Sequence, residues 1–244
     1  MSEDVTEGWL KHSISWLRPL LELRALLAVL LLGALAWSFI GLAEEVVEGD
    51  TRAIDEAVLL WLRSAADPAL PIGPAWLPLV MRDITALGGY TVLTLVTAAT
   101  TIYFVLVNRP RVALFILVAV LGATLWTELF KLGFARPRPE LVPHAVLVTS
   151  ASFPSGHSSG AAAVYLTLGG LLASFQKQRR VKLFIMGLAV AITILVGLSR
   201  LYLGVHWPSD VLAGWALGAG WAVLCWLVVT YLRRARMLRE PPVG

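Results

Sequence analysis

The sequence predicts an all-α membrane protein: a bundle of six transmembrane helices with a short interfacial helix in its first outer connection. Three observations predict it. Of 244 residues, 58% are hydrophobic and only 15% are charged, with a mean hydropathy of +0.76, whereas a soluble domain is about 45–50% apolar and about 25% charged. The charges are separated by long uncharged runs. Lysine and arginine also favour alternate connections, as the positive-inside rule requires. A disordered chain is excluded by the low charge. The 20 Gly and 13 Pro follow no period, which excludes collagen-like repeats. A single cysteine, Cys225, excludes an internal disulfide and a Cys-based metal site; beside Trp221 and Trp226 it reads as a small apolar residue.

Each segment follows from an uncharged run of roughly the 20 residues a bilayer core needs. The runs are 25–43, 84–108, 112–130 (interrupted only by Glu128), 141–176, 183–199 and 211–232. They predict spans near 24–43, 85–108, 111–131, 156–175, 182–200 and 210–232 of one domain covering 1–244. The fourth starts near Gly156 because Pro143 and Pro154 break the earlier part. The first is read as a retained helix: it is long for a signal sequence, and Glu44 and Glu45 follow it where a cleavage site would need small residues. In the first outer connection, residues 54–64 carry apolar residues at helical spacing beside Asp55, Glu56 and Arg63, the pattern of a helix lying on the membrane surface. Trp61, Trp76 and Trp207 fall near segment ends, where indoles favour the interface. The pairs Gly156/Gly160 and Gly214/Gly218 suit close helix packing.

Thirteen of the 20 Lys and Arg residues fall on one side of these segments, which places both termini in the cytoplasm. The same distribution accounts for the net charge of +4 without a nucleic-acid partner. Topology does not explain Lys131, Arg136, Arg138 and Arg200, which lie in the outer connections after segments three and five. Unpaired cations at a bilayer edge call for an anion, and the fork of arginine suits phosphate. Residues 154–157 (Pro-Ser-Gly-His) open a helix, whose N-terminus also favours an anion. His206 and Asp210 are four apart, so Asp210 can hold one ring nitrogen and leave the other to attack. His157 is then available as general acid and later general base. Such a site needs no metal or cofactor, because cations take the electrostatic role.

The order Lys131, Arg138, Pro139, then Pro154, Ser155, Gly156, His157, then Ser199, Arg200, His206, Asp210 resembles the three-part signature of the type 2 phosphatidic acid phosphatase and vanadium haloperoxidase superfamily. It is most similar to the membrane lipid-phosphatase branch, which includes bacterial phosphatidylglycerophosphate and undecaprenyl-pyrophosphate phosphatases. The resemblance implies that Lys131, Arg138 and Arg200 bind phosphate with the Ser155 hydroxyl and the Gly156 N–H. It also implies that His206 is the nucleophile forming a phosphohistidine, that Asp210 orients it, and that His157 protonates the leaving group. The expected partner is a lipid phosphate at the outer face of a bacterial cytoplasmic membrane, surrounded by membrane lipids. The sequence leaves the particular lipid and the oligomeric state open.

Competing expectations are a phosphotransferase using the same phosphohistidine, a vanadate-dependent haloperoxidase, which the hydrophobicity disfavours, and a lipid transporter, for which no inverted repeat is seen. Arg136 is read as a contact to a second anionic group or to lipid phosphate, and Glu128 as the partner that holds Lys131. Tyr202 and Trp207 are read as pocket lining or packing, Ser158 and Ser159 as back-bonding or packing residues, and His144 as an exposed loop residue.

Overall fold

The computed structural model describes residues 3–143 and 150–237, with side chains described for 22–143 and 150–232. His144 lies outside the described residues. The described residues form eight helices and no strand: α1 (Glu3–Glu48), α2 (Arg52–Trp61), α3 (Leu77–Ala86), α4 (Tyr90–Leu106), α5 (Pro110–Phe134), α6 (Gly156–Phe175), α7 (Arg179–Tyr202) and α8 (Pro208–Met237). Five of them are long and apolar enough to cross a membrane. A sixth crossing exists if α3 and α4 count as one span bent by 44°. The uncharged run 84–108 therefore hides a break at Leu87–Gly89, where the backbone leaves the helix before α4 starts at Tyr90.

The bundle is organised around α6, the most buried of the long helices, which packs against α4, α5, α7 and α8. Its small residues cause this: Ala161, Ala162, Ala163 and Val164 are all buried, and short side chains let neighbouring backbones approach. The approach is closest against α8. A β-carbon on Gly214 would lie 2.7 Å from the Ser155 carbonyl oxygen, and one on Gly218 would lie 2.7 Å from the Ala162 β-carbon. On the other side α1 lies against α8, with Phe39 and Ala43 packed on Phe153, Ala213 and Ala216. Helix α3 packs on α7. Leucine, valine, tryptophan and phenylalanine side chains cover the outside of the long helices, among them Trp37, Leu106, Leu132 and Phe184. That inversion of the soluble pattern is what a hydrocarbon solvent permits.

Helix α2 buries Asp55 and Leu59 and exposes Ile54 and Trp61. Its inward face thus carries a carboxylate and its outward face carries apolar side chains. At the end of α7, Gly204 has φ of +73°, a backbone region that a side chain disfavours. A β-carbon there would also lie 2.9 Å from Arg63 Nη2. Arg63 in turn donates to the Tyr202 carbonyl at 2.9 Å, holding the end of α7. Arg63 is itself buried, and burial lowers the pKa of its guanidinium.

Candidate active site

Three stretches of chain meet at one end of the bundle: the α5–α6 connection, the α7–α8 connection and α2. Lys131 stands in the last turn of α5 and is 7% exposed. It is paired with Glu128 at 3.2 Å, one turn earlier on the same face, and the Tyr90 hydroxyl of α4 donates to the same Glu128 oxygen. The expected partnership of Glu128 and Lys131 is thus present, with Tyr90 as a member that sequence reading missed. Gly156 lies directly beneath: a β-carbon there would sit 2.9 Å from Lys131 Nζ.

Ser155 is the N-cap of α6. Its hydroxyl accepts from the Ser158 N–H at 3.4 Å and from the Ser158 hydroxyl at 3.0 Å, and its own proton is still available to donate. Ser159 bonds back to the Gly156 carbonyl and also reaches across to the Thr127 hydroxyl at 2.8 Å. His157 follows at the N-terminus of α6. The charges of Arg200, Lys131 and Arg138 and the ring of His206 all act on its imidazole. The α3–α4 break lies against it: a β-carbon on Gly89 would be 3.7 Å from His157 Nε2. Arg200, 3% exposed, donates through Nη1 to Thr85 of α3 at 3.1 Å, and its Nε has no partner among the described residues. A buried guanidinium with an unused donor is an incomplete site for an anion.

Arg138 joins the two connections. It donates to the Ser150 carbonyl at 2.8 Å and to the Val205 carbonyl at 2.7 Å, and its Nη1 lies 3.2 Å from His206 Nε2. A guanidinium only donates, so His206 Nε2 carries a lone pair and the ring proton sits on Nδ1. That nitrogen lies 3.3 Å from Asp210 Oδ2 and 3.3 Å from the Ser152 hydroxyl. Burial pushes the His206 pKa down to about 4; Asp210 opposes the shift, and Arg200 and Arg138 reinforce it. The ring is therefore neutral at neutral pH, with its basic nitrogen turned toward the cations.

Asp210 is fully buried and fully used. Its Oδ2 accepts from the Ser152 hydroxyl and from the Trp207 N–H, and its Oδ1 accepts from Arg136 at 2.7 Å. This corrects the reading of Arg136. Instead of facing a second anionic group, it lies between two carboxylates, with Nη2 on Asp55 Oδ2 at 2.9 Å and the Trp207 ring at 5.5 Å. Asp55 in turn accepts from the backbone N–H and the hydroxyl of Ser209, near the start of α8. Trp207 donates to the Pro137 carbonyl and Tyr202 to the Ile72 carbonyl, so both tie loops down. Ser152 and Asp55 are site residues that sequence reading missed. Among the described residues, no three His, Cys, Asp or Glu side chains converge as a metal-holding group.

An imidazole nitrogen with a lone pair, a second imidazole and three cations at one end of the bundle are a set of groups that can perform phosphoryl transfer. Comparison with known proteins agrees with that chemistry. The PAP2 superfamily model matches residues 112–234. Phosphatidylglycerophosphatase B of Bacillus subtilis is 31% identical over 207 residues, 83% of this chain and 95% of that protein. The undecaprenyl-diphosphatase of Sulfolobus acidocaldarius is 36% identical over 112 residues, 43% of this chain and 47% of that protein. The crystal structure of a transmembrane PAP2-type phosphatidylglycerolphosphate phosphatase from Bacillus subtilis matches with a TM-score of 0.68 at 28% identity, covering 86% of this chain and 98% of that one. A family match over half the chain, and a relative aligned over nearly its whole length, establish that this chain belongs to the PAP2 superfamily.

Proposed function

We propose that this protein is a membrane lipid phosphatase that releases phosphate from a lipid phosphomonoester or diphosphate through a phosphohistidine, without metal. The observation that carries the reading is the placement of His206, with Nδ1 against Asp210 at 3.3 Å and Nε2 beside Arg138 at 3.2 Å. In the first step Nε2 attacks phosphorus, the bond from phosphorus to the leaving oxygen breaks, and His157 gives that oxygen its proton. In the second, His157 takes a proton from water, the water oxygen attacks phosphorus, and the phosphorus–nitrogen bond breaks to free inorganic phosphate. Lys131, Arg138 and Arg200, with the Ser155 hydroxyl and the Gly156 N–H, hold the phosphate oxygens and stabilise the pentacoordinate state.

A narrow cleft runs from Tyr90 and Gly156 down between α4, α5 and α6, lined by Leu93, Val120, Ala123 and Gly160. It offers an acyl or prenyl chain a route beside the site while the head group reaches Lys131. In this reading α3 and α4 form one bent span, giving six crossings. Helix α2 lies at the outer surface with Ile54 and Trp61 toward lipid, both termini are cytoplasmic, and the site opens on the outer face of a bacterial cytoplasmic membrane. The relatives' names point to phosphatidylglycerophosphate and undecaprenyl diphosphate as the first substrates to try.

The test is phosphate release by purified protein in detergent with EDTA, across phosphatidylglycerophosphate, phosphatidic acid, undecaprenyl pyrophosphate and a lipid A phosphate. At least one should be hydrolysed. His206→Ala and His157→Ala should each lose at least about 10²-fold in kcat, the scale of nucleophile and acid–base contributions. Wild-type rates in either variant would sink the mechanism.

A further inference from the structure

Arg136 sits inside a chain of buried charge that the phosphate chemistry above does not use. Asp55 is 1% exposed and Asp210 is fully buried. They come from α2 and α8, yet both bind the one guanidinium of Arg136, through Nη2 and Nη1 respectively. The same guanidinium also contacts the hydroxyls of Ser209 and Thr51. The Asp55 carboxylate bonds lead either to α8, Asp210's own helix, through Ser209 N–H to Oδ1 at 2.9 Å and Ser209 hydroxyl to Oδ2 at 2.6 Å, or to Arg136, which itself binds Asp210. Asp55 thus caps the first turn of α8 from another part of the chain, where a carboxylate meets unpaired N–H groups. The fork geometry matters, because a planar guanidinium holds two carboxylates on two separate nitrogens, which the single nitrogen of a lysine ammonium does not reproduce.

The order of contacts runs from Asp55 to Arg136, to Asp210 Oδ1, and through Asp210 Oδ2 to His206 Nδ1. We propose that Arg136 and Asp55 are positioning residues for the reaction, fixing the rotation of the Asp210 carboxylate and through it the ring of His206. This rests on the phosphohistidine reading of the site. Arg136 then contributes nothing to phosphate binding, because both of its terminal nitrogens are already bonded to protein oxygens. Removing it leaves two like charges buried side by side, which is strongly unfavourable. Removing the charge of Asp55 as well relieves that repulsion.

Kinetics of the full-length protein on a lipid phosphate test this, with inorganic phosphate as competitive inhibitor. Arg136→Met should lower kcat by about 10–100-fold, as loss of a supporting partner does at other sites, and leave KM and the phosphate Ki near wild type. Arg136→Met/Asp55→Asn should be more active than Arg136→Met alone. If Arg136→Met does not yield folded protein, Asp55→Asn carries the test, with the same fall in kcat at unchanged Ki. A raised KM and weakened phosphate inhibition at unchanged kcat would make Arg136 an anion contact and overturn the inference. A double variant no better than Arg136→Met, or wild-type kcat in Asp55→Asn, would overturn it too. The two proposals fail separately. An active His206→Ala defeats the phosphohistidine reading, whereas an inactive His206→Ala with wild-type kcat in Arg136→Met defeats only the positioning role.

Discussion

The proposed mechanism sets two conditions on His206, and they reinforce each other. It must be unprotonated to attack, and it must lie among cations that hold the phosphate. Burial among Arg138 and Arg200 meets both, because each disfavours the imidazolium. The sign follows directly. With its pKa lowered from 6.5 to about 4, the ring stays neutral as pH falls from 7 to 5 and protonates only near 4. The unfolded chain takes up that proton near 6.5, so this group's contribution to stability is complete above that pH and declines as pH falls toward 4. Nitrogen NMR of histidine-labelled protein in micelles should show His206, assigned by its loss in His206→Gln, still neutral at pH 5. A midpoint near 6.5 would contradict the burial argument. At this scale much was legible in the sequence. Spacing alone paired His206 with Asp210 and Glu128 with Lys131, because partners one helical turn apart are visible in the chain. Asp55, Ser152 and Tyr90 were not legible, since each acts on a residue 38 to 154 positions away. On its amphipathic helix Asp55 also reads as one more solvated charge.

At the scale of elements, hydropathy located the apolar stretches but not their joints. The break between α3 and α4 carries no charge and no proline; its signal is the Gly88–Gly89 pair, a dipeptide that marks turns and that a reading of the run 84–108 by charge alone passes over. Its purpose is tertiary: it brings Gly88 and Gly89 against His157 and lets Thr85 meet Arg200. The α6–α8 seam was better foreshadowed, because the Gly214/Gly218 spacing is itself a packing signal. That seam joins two residues of the candidate site, since the Ser155 N–H donates to the Asp210 carbonyl across it at 3.0 Å. Gly214→Ala would place a β-carbon 2.7 Å from the Ser155 carbonyl and 2.9 Å from the Ser158 β-carbon. Overpacking of this kind costs about 1–3 kcal/mol. A thermal melt in detergent should register a lowered midpoint, and kcat should fall with it. An unchanged melt and rate would mean that the helices part at no cost.

For the whole molecule, orientation is a matter of which connections carry the bases. The end of the bundle that holds the site is joined to a first connection rich in acids, and the opposite connections hold Arg109, Arg111, Lys177, Arg179, Arg180 and Lys182. In a Cys225→Ser background, a membrane-impermeant maleimide applied to intact cells should label Asp67→Cys, and should label Gln178→Cys only after lysis. The reverse pattern would invert the topology.

The clasp of Arg136 between Asp55 and Asp210 also bears on modularity. The stretch that carries the family signature, 112–234, looks like a portable catalytic unit when read along the chain. Physically it is not closed. Arg136 finds its second carboxylate at Asp55, Arg200 finds its hydroxyl at Thr85, and Glu128 finds its donor at Tyr90. All three partners precede residue 112, so the half that matches the family model depends on the other half for one counter-charge and two hydroxyl partners.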